Sequence, residues 1–495
     1  MELKIKQYRT RNSYEFFNPR ITFFCIIVGL FNSFQYSNYS LMFSLCAIEV
    51  IILIFDFYKH DYEGYLCHYM VFLCFSMESA TFVGTEYFYG FKNFRIAGLN
   101  LAVWMLMPLL LMTVLNYGIL KRNTWGLHKK IIKILFLFTF DGIIMGILSY
   151  LVNDNGFATK IGSLNVLIAS YYTYILPFLE LLIVSWVVVH TGRTKKIKEY
   201  LYAIIISLGF VFSICFVMGN YGNRGGLASL QVSDIYFLLV ASLTIVVYPE
   251  FKEKNKFLLG VAAIIILILS LMFNASGKIV ITTVFIPILM LVIIKRQGYA
   301  IKTIFAIIGT VIAIVVVTGI VLPKLAQDNI LLSVKLNQAM AMFSFLGGDW
   351  LDNMPSSPKM RITEFMNIAA EYLNKPLYGI TGKGFAGTMK DNLHLFTDLS
   401  EFTFSKWELE LGAFYNMHES INCFFLVGGL FGLIAIFKII TSLYKEIHRS
   451  PWLLFGFIWI LLFYNYHMTI AIYGIIALVV GLFDLKQIRK IVIRK

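Results

Sequence analysis

Charge is scarce in this chain. Only 14% of its 495 residues are Asp, Glu, Lys or Arg, whereas 59% are hydrophobic and the mean hydropathy is +0.75. That balance excludes a water-soluble fold. The six cysteines, Cys25, Cys46, Cys67, Cys74, Cys215 and Cys423, lie in or beside apolar runs and show no metal-ligand spacing. They are expected to be small core residues, with neither a disulfide framework nor a metal site. No clear internal repeat is present, a feature that many transporters show.

What the chain has instead is apolar runs, almost end to end. A helix needs roughly 20 predominantly apolar residues to cross a hydrocarbon core about 30 Å thick. The runs are too long and too uniformly apolar for barrel strands, which alternate over about ten residues. The expectation is therefore an all-α polytopic membrane protein with 12–14 transmembrane helices. Read as fourteen, they are 21–38, 40–57, 65–84, 96–119, 131–152, 163–190, 200–219, 233–249, 257–274, 279–294, 301–322, 420–440, 452–466 and 467–484. The last two could form one re-entrant unit. The first run is followed by more hydrophobic sequence rather than by a small-residue cleavage site, so no cleavable signal is expected.

Lys and Arg gather in alternate short loops, and cytoplasmic loops keep an excess of them. Lys4, Lys6, Arg9 and Arg11 place the N-terminus in the cytoplasm. Lys121, Arg122, Lys129 and Lys130 then fall on the same side, as do Arg193, Lys195, Lys196 and Lys198, and the tail Lys486, Arg489, Lys490, Arg494 and Lys495. Both termini are thus expected to be cytoplasmic. The net charge of +14 is accounted for by this topology, and nucleic-acid binding is not expected. The chain divides into N-terminal helices over 1–199, helices with two outside turns over 200–322, a large extracytoplasmic loop over 323–418, and C-terminal helices with a basic tail over 419–495.

Long loops between tight spans are usually functional. Within this one, Ile362, Phe365, Met366, Ala369 and Leu373 recur at helical spacing, and Asn374-Lys375-Pro376 stops that helix. Arg361 opens it, on a stripe with Phe365, Ile368 and Tyr372. The alternative for Arg361 is a helix-end residue facing solvent. Gly379, Gly382, Gly384 and Gly387 follow, around Lys383 and Phe385. They describe a tight turn that could cradle a phosphate, although the spacing is not that of a nucleotide-binding loop and a plain structural turn is the simpler reading. Arg224, in Asn220–Gly226, and Lys278, in Asn274–Lys278, are cations on the outer side, against the charge trend; lipid anchoring is the alternative for each. His418 stands where a long apolar run begins, and capping that helix is its alternative role. His394, also in the loop, is its rival. Glu49, Glu78, Asp141 and Glu180 lie within apolar runs, where helix-to-helix pairing or a protonated carboxyl competes with any functional role.

Taken in order, these pieces resemble the O-antigen ligase and polymerase superfamily of integral membrane glycosyltransferases. The resemblance covers roughly residues 200–440. It comprises Arg224-Gly225, the Ser276-Gly277-Lys278 turn, the Arg361 helix leading into Pro376-Leu377-Tyr378-Gly379 and Gly382-Lys383-Gly384-Phe385, and His418 opening a run that contains Gly428-Gly429-Leu430-Phe431-Gly432. Two departures stand out. Lys278 occupies a place where that family commonly has Arg, and Glu419 follows His418 where Asn is typical, which leaves open how the imidazole is oriented.

The resemblance implies a GT-C-like fold that needs no cofactor. It implies transfer of a glycan from an undecaprenyl-diphosphate carrier to an acceptor hydroxyl at the outer face of a bacterial cytoplasmic membrane. Arg224 and Arg361 would bind the diphosphate, with Lys278 and Lys383 as further substrate-binding cations, and His418 would be the catalytic base of an inverting displacement. The long loop and extra spans favour a repeat-unit polymerase making O-antigen, capsule or exopolysaccharide. A chain-length regulator (polysaccharide co-polymerase) and a flippase are the protein partners this implies, besides membrane lipids. An O-antigen ligase, a lipid-linked oligosaccharide flippase and a non-catalytic scaffold are the alternatives.

Overall fold

The computed structural model describes residues 17–34, 39–76, most of 91–154, 164–191, 195–217 and most of 351–446, with isolated positions elsewhere. The described part is mostly helical. Eight helices follow the apolar runs: α1 Pro19–Phe34, α2 Tyr39–Tyr58, α3 Tyr62–Phe75, α4 Leu101–Leu115, α5 Gly126–Leu151, α6 Leu164–Thr191, α7 Lys195–Val217 and α11 Ser420–Glu446. Between α7 and α11 lie α8 Ser356–Asn374, α9 Pro376–Thr381 and α10 Lys406–Leu411. Among the described residues two helices, α5 and α11, carry apolar stretches long enough to cross a membrane, at Lys129–Leu151 and Ile421–Lys445. The expected runs 233–322 and 452–484 lie outside the described residues, as does Glu78.

One run departs from the helical expectation. Residues 96–119 do not begin as a helix, because Arg95–Ile96 (β1) pairs antiparallel with Leu99–Asn100 (β2), and α4 starts only at Leu101. The Leu101 N–H is taken by the Phe94 carbonyl at 2.7 Å, so the chain turns back on itself before it enters the helix.

Two cores organise the helices. The first joins α1, α2, α3, α4, α6 and α7 around Trp186, Tyr65, Tyr69, Phe72 and Tyr202. Five of the cysteines, Cys25, Cys46, Cys67, Cys74 and Cys423, are buried free thiols, the packing role expected of them. Polar groups inside this core pair between helices. Asn32 donates to Glu49 at 3.0 Å, and His68 bridges Asp56 (2.6 Å) and the Tyr200 hydroxyl (2.7 Å). Glu180 is buried, and among the described residues neither of its carboxyl oxygens has a hydrogen-bond partner.

The second core joins α5, α8, α9 and α11 and is closed by a glycine-rich loop. α11 breaks at Gly429, whose φ of 54° and ψ of −143° are not helical. A break inside an apolar helix leaves carbonyls without helical partners. Here the loop after α9 supplies the donors: Lys383 N–H bonds the Leu426 carbonyl at 3.0 Å, and Gly384 N–H bonds that of Val427 at 2.9 Å. The Tyr372 hydroxyl of α8 adds a second donor to Leu426 at 2.5 Å. On the other side, Phe385 N–H bonds the Gly142 carbonyl of α5 at 2.8 Å, and Ser149 Oγ bonds the Lys383 carbonyl at 2.8 Å.

The loop is therefore a wedge between two long helices. Its glycines are required by contact: at Gly384 φ is +74° and an added Cβ would lie 1.9 Å from the Gly146 nitrogen. Gly384→Ala is expected to destabilise the fold by about 2–4 kcal/mol, from overpacking and left-handed backbone together. Gly118, where an added Cβ meets nothing within 4 Å, supplies the control. Thermal unfolding of the detergent-purified protein should show a marked drop for Gly384→Ala and little change for Gly118→Ala.

Candidate active site

α8 forms where the sequence pattern places it and ends at Asn374, before Pro376. The face it buries, however, is not the apolar stripe of Phe365, Met366 and Leu373, which are exposed. Met360, Thr363, Glu364, Asn367, Ile368, Glu371 and Tyr372 recur at helical spacing and are buried. Four of these are polar, and each has partners reaching it from outside the helix or along it. The buried polar stripe is what turns a packing helix into a site.

At its upper end α8 meets the head of α11. Arg361 and Glu364 are one turn apart on α8; His418 and Asn422 are one turn apart across the start of α11. Glu364 is fully buried at 0% exposure. Its carboxylate receives the His418 ring at Nδ1 (2.5 Å), the His418 backbone N–H (3.0 Å) and the Asn422 amide (2.9 Å). Burying a carboxylate is costly unless donors surround it, and these donors satisfy it. A carboxylate at Nδ1 selects the imidazole tautomer protonated there, which leaves Nε2 as the nitrogen that can accept a proton. The Phe404 ring meets the imidazole edge to face at 5.3 Å, within a cluster with Phe396 and Phe414. His418 is thus held by electrostatics on one side and aromatic packing on another.

Arg361 is part of the same assembly. Its Nε lies 2.6 Å from Glu419 Oε1, close in distance though the N–H is not aligned on that oxygen, and the two side chains are 26% and 37% exposed. Asn422 Nδ2 also donates to the Arg361 carbonyl at 2.8 Å, tying the backbone of α8 to the head of α11. The guanidinium is partly buried rather than fully in solvent. A partly exposed cation, an oriented imidazole and a buried carboxylate make a set that can bind an anion and remove a proton.

Lys383 is elsewhere. Its ammonium is 3% exposed and is held by Glu371, two turns along α8 from Glu364 and so about 10 Å away by helix rise, and by the Thr388 carbonyl at 2.8 Å. Asp154, just beyond α5, joins the group, 2.5 Å from Lys375 Nζ and 3.7 Å from Lys383 Nζ. In the glycine loop, the N–H groups of Gly382, Lys383, Gly384, Phe385 and Gly387 all donate to carbonyls of the chain, the arrangement of a structural turn. His394 is exposed, in a turn at φ 52° where Asp391 caps Leu395 and Phe396 and takes a bond from Asn367. Arg224 and Lys278 lie outside the described residues.

Sequence reasoning did not single out Glu364 or Asn422. The signal was present, since Glu364 is three residues after Arg361 and Asn422 four after His418, but a polar residue at that spacing in a loop helix reads as solvent-facing until its partner is known. Compared with known proteins, the chain matches no family model, no curated protein and no solved structure.

The Asp154 network gives a pH dependence of defined sign. Burial alone would raise the Asp154 carboxyl, but the Lys375 hydrogen bond and the Lys383 and Lys375 charges outweigh it and hold it below its ordinary value of 3.8. Its stabilisation is therefore fully present above about pH 4 and is lost as pH falls through the lowered value. Wild type is expected to lose thermal stability as pH falls below about 4 more steeply than Asp154→Asn; parallel curves would remove the network from that role.

Proposed function

We propose that this chain is an integral membrane glycosyltransferase whose donor glycan is carried on a lipid diphosphate, with His418 as base and Arg361 as a diphosphate-binding cation. Within that class, the reading is a repeat-unit polymerase that joins undecaprenyl-diphosphate-linked oligosaccharides at the outer face of a bacterial cytoplasmic membrane. The observation that carries it is the convergence of Arg361, His418, Glu364 and Asn422 at the head of α11.

The membrane setting rests on two features beyond the apolar runs. On α5, Phe136, Leu137, Phe140, Ile144, Ile147, Leu148 and Leu151 form one exposed apolar stripe, and on α11 Leu430, Ile434 and Phe437 form another. Stripes of that extent suit lipid rather than water. Ion pairs also sort by side. Asp61 and Lys196, 2.6 Å apart, fall in loops that the charge pattern assigns to the cytoplasm, while Asp154 and Lys375 fall in loops that it assigns to the exterior. With both termini cytoplasmic and about fourteen spans, the Arg361–His418 assembly lies at the outer boundary.

The chemistry then follows in order. Arg361, joined by Arg224 and Lys278 on this reading, neutralises the diphosphate as the sugar–oxygen bond breaks. Glu364 holds the His418 imidazole so that Nε2 takes the proton from the acceptor hydroxyl, which attacks the anomeric carbon from the opposite side, with inversion. The spent lipid diphosphate departs without a separate acid. Lys383 holds the loop rather than the substrate. Glu180, buried without a hydrogen-bond partner among the described residues, is the feature that favours the transporter reading.

Reconstitution with a defined lipid-linked repeat unit tests this. His418→Ala is expected to slow polymer formation by roughly 10²–10⁴-fold, with Arg361→Ala and Arg224→Ala also losing polymer ladders at normal expression. Glu364→Gln is expected to lower the rate while leaving donor binding nearly unchanged. Normal ladders from all these variants would remove the proposed site, and substrate translocation without transfer would favour the flippase.

A further inference from the structure

Two carboxylates sit beside His418, and they are held in opposite ways. Glu364 is fully buried and receives three hydrogen bonds from His418 and Asn422; moving it would strand those donors. Glu419, next to His418 in the chain, is more than a third exposed and lies 2.6 Å from Arg361 Nε. Glu419 is the more exposed partner, at 37% against 26% for Arg361, and a partly exposed carboxylate of this kind contributes little to stability and can exchange for another anion. Its carboxylate stands against the guanidinium that the reaction needs for phosphate.

Resting on the function proposed above, we infer that Glu419 is an intramolecular stand-in for the substrate's phosphate. Between turnovers it holds the Arg361 guanidinium at the head of α11, and it yields the guanidinium when the donor's diphosphate arrives. The exchange favours the diphosphate because a single carboxylate presents one charge, whereas a diphosphate presents at least two and several acceptor oxygens to the planar donor fork. The backbone of Glu419 does not need to move, since its carbonyl is fixed by the Cys423 N–H at 2.9 Å; only the side chain swings into water. The same carboxylate competes for Arg361 after the sugar has left and so hastens release of the spent carrier. Selectivity is gained by competition: a ligand must outbid a built-in anion to engage the cation.

The test is equilibrium binding to the purified full-length chain of two probes, undecaprenyl diphosphate and inorganic pyrophosphate, in wild type, Glu419→Gln, Arg361→Gln and the double variant. Glu419→Gln is expected to bind both probes about two- to fivefold tighter, as removal of a partly exposed competing charge predicts. That gain should vanish once Arg361→Gln is present. Glu419→Ser, measured alongside, should move affinity the same way. Unchanged or weaker binding in both Glu419 variants overturns the inference, as does an equal gain without Arg361.

The two readings separate cleanly. If Arg361→Gln abolishes undecaprenyl diphosphate binding while the Glu419 variants match wild type, the carrier reading survives and the stand-in role falls. If the Glu419 variants bind pyrophosphate more tightly but the prenyl chain adds no affinity, the stand-in role survives and the lipid-carrier reading falls.

Discussion

A single buried carboxylate, Glu364, is the constraint around which the candidate site is arranged. Placed on the inner face of α8, it has no exposure to water and must be satisfied by protein donors. The donors come from His418 and Asn422, so the requirement to pair Glu364 docks the head of α11 against the loop helix. The same contact fixes which imidazole nitrogen faces onward. Asn422 completes the link by also binding the Arg361 carbonyl, which ties the start of α8 to the head of α11.

The docking depends in turn on a helix that is broken. Gly429 interrupts α11, and the Leu426 and Val427 carbonyls then accept from Lys383, Gly384 and Tyr372. Backbone satisfaction of this kind is what permits irregular chain inside an apolar bundle. The wedge loop, the α5 glycines it packs on and the Asp154–Lys375–Lys383–Glu371 ion network form one unit. Its role is to hold α8 and α11 at a set spacing, which in the proposed reaction keeps cation and base at a set spacing as well.

The sequence made much of this legible, and the reasons for the rest are physical. The described apolar runs became helices because length and hydropathy determine that outcome strongly, and α8 formed with its stop at Asn374-Lys375-Pro376. The close backbone approach at the glycine turn was readable from Gly382 and Gly384. What could not be read was which face of α8 turns inward: Met366 and Leu373 are exposed and Phe365 lies at the edge, stacked on Phe425, because the buried polar stripe includes Glu364, whose partners His418 and Asn422 are more than fifty residues away in sequence. Lys383 is a related case. A lysine among glycines suggests phosphate, and only the fold shows Glu371 and Thr388 beside it. The start of the 96–119 run was likewise set by pairing between Arg95–Ile96 and Leu99–Asn100, which periodicity does not reveal.

The central claim is that His418 and Arg361 share one externally facing pocket for a lipid diphosphate. The most direct measurement is labelling of a His418→Cys variant, in a background with the native cysteines replaced, by a membrane-impermeant thiol reagent with and without undecaprenyl diphosphate. The account predicts labelling from the extracytoplasmic side and protection by the lipid diphosphate. Labelling only from the cytoplasmic side, or labelling that the lipid diphosphate does not slow, would contradict it.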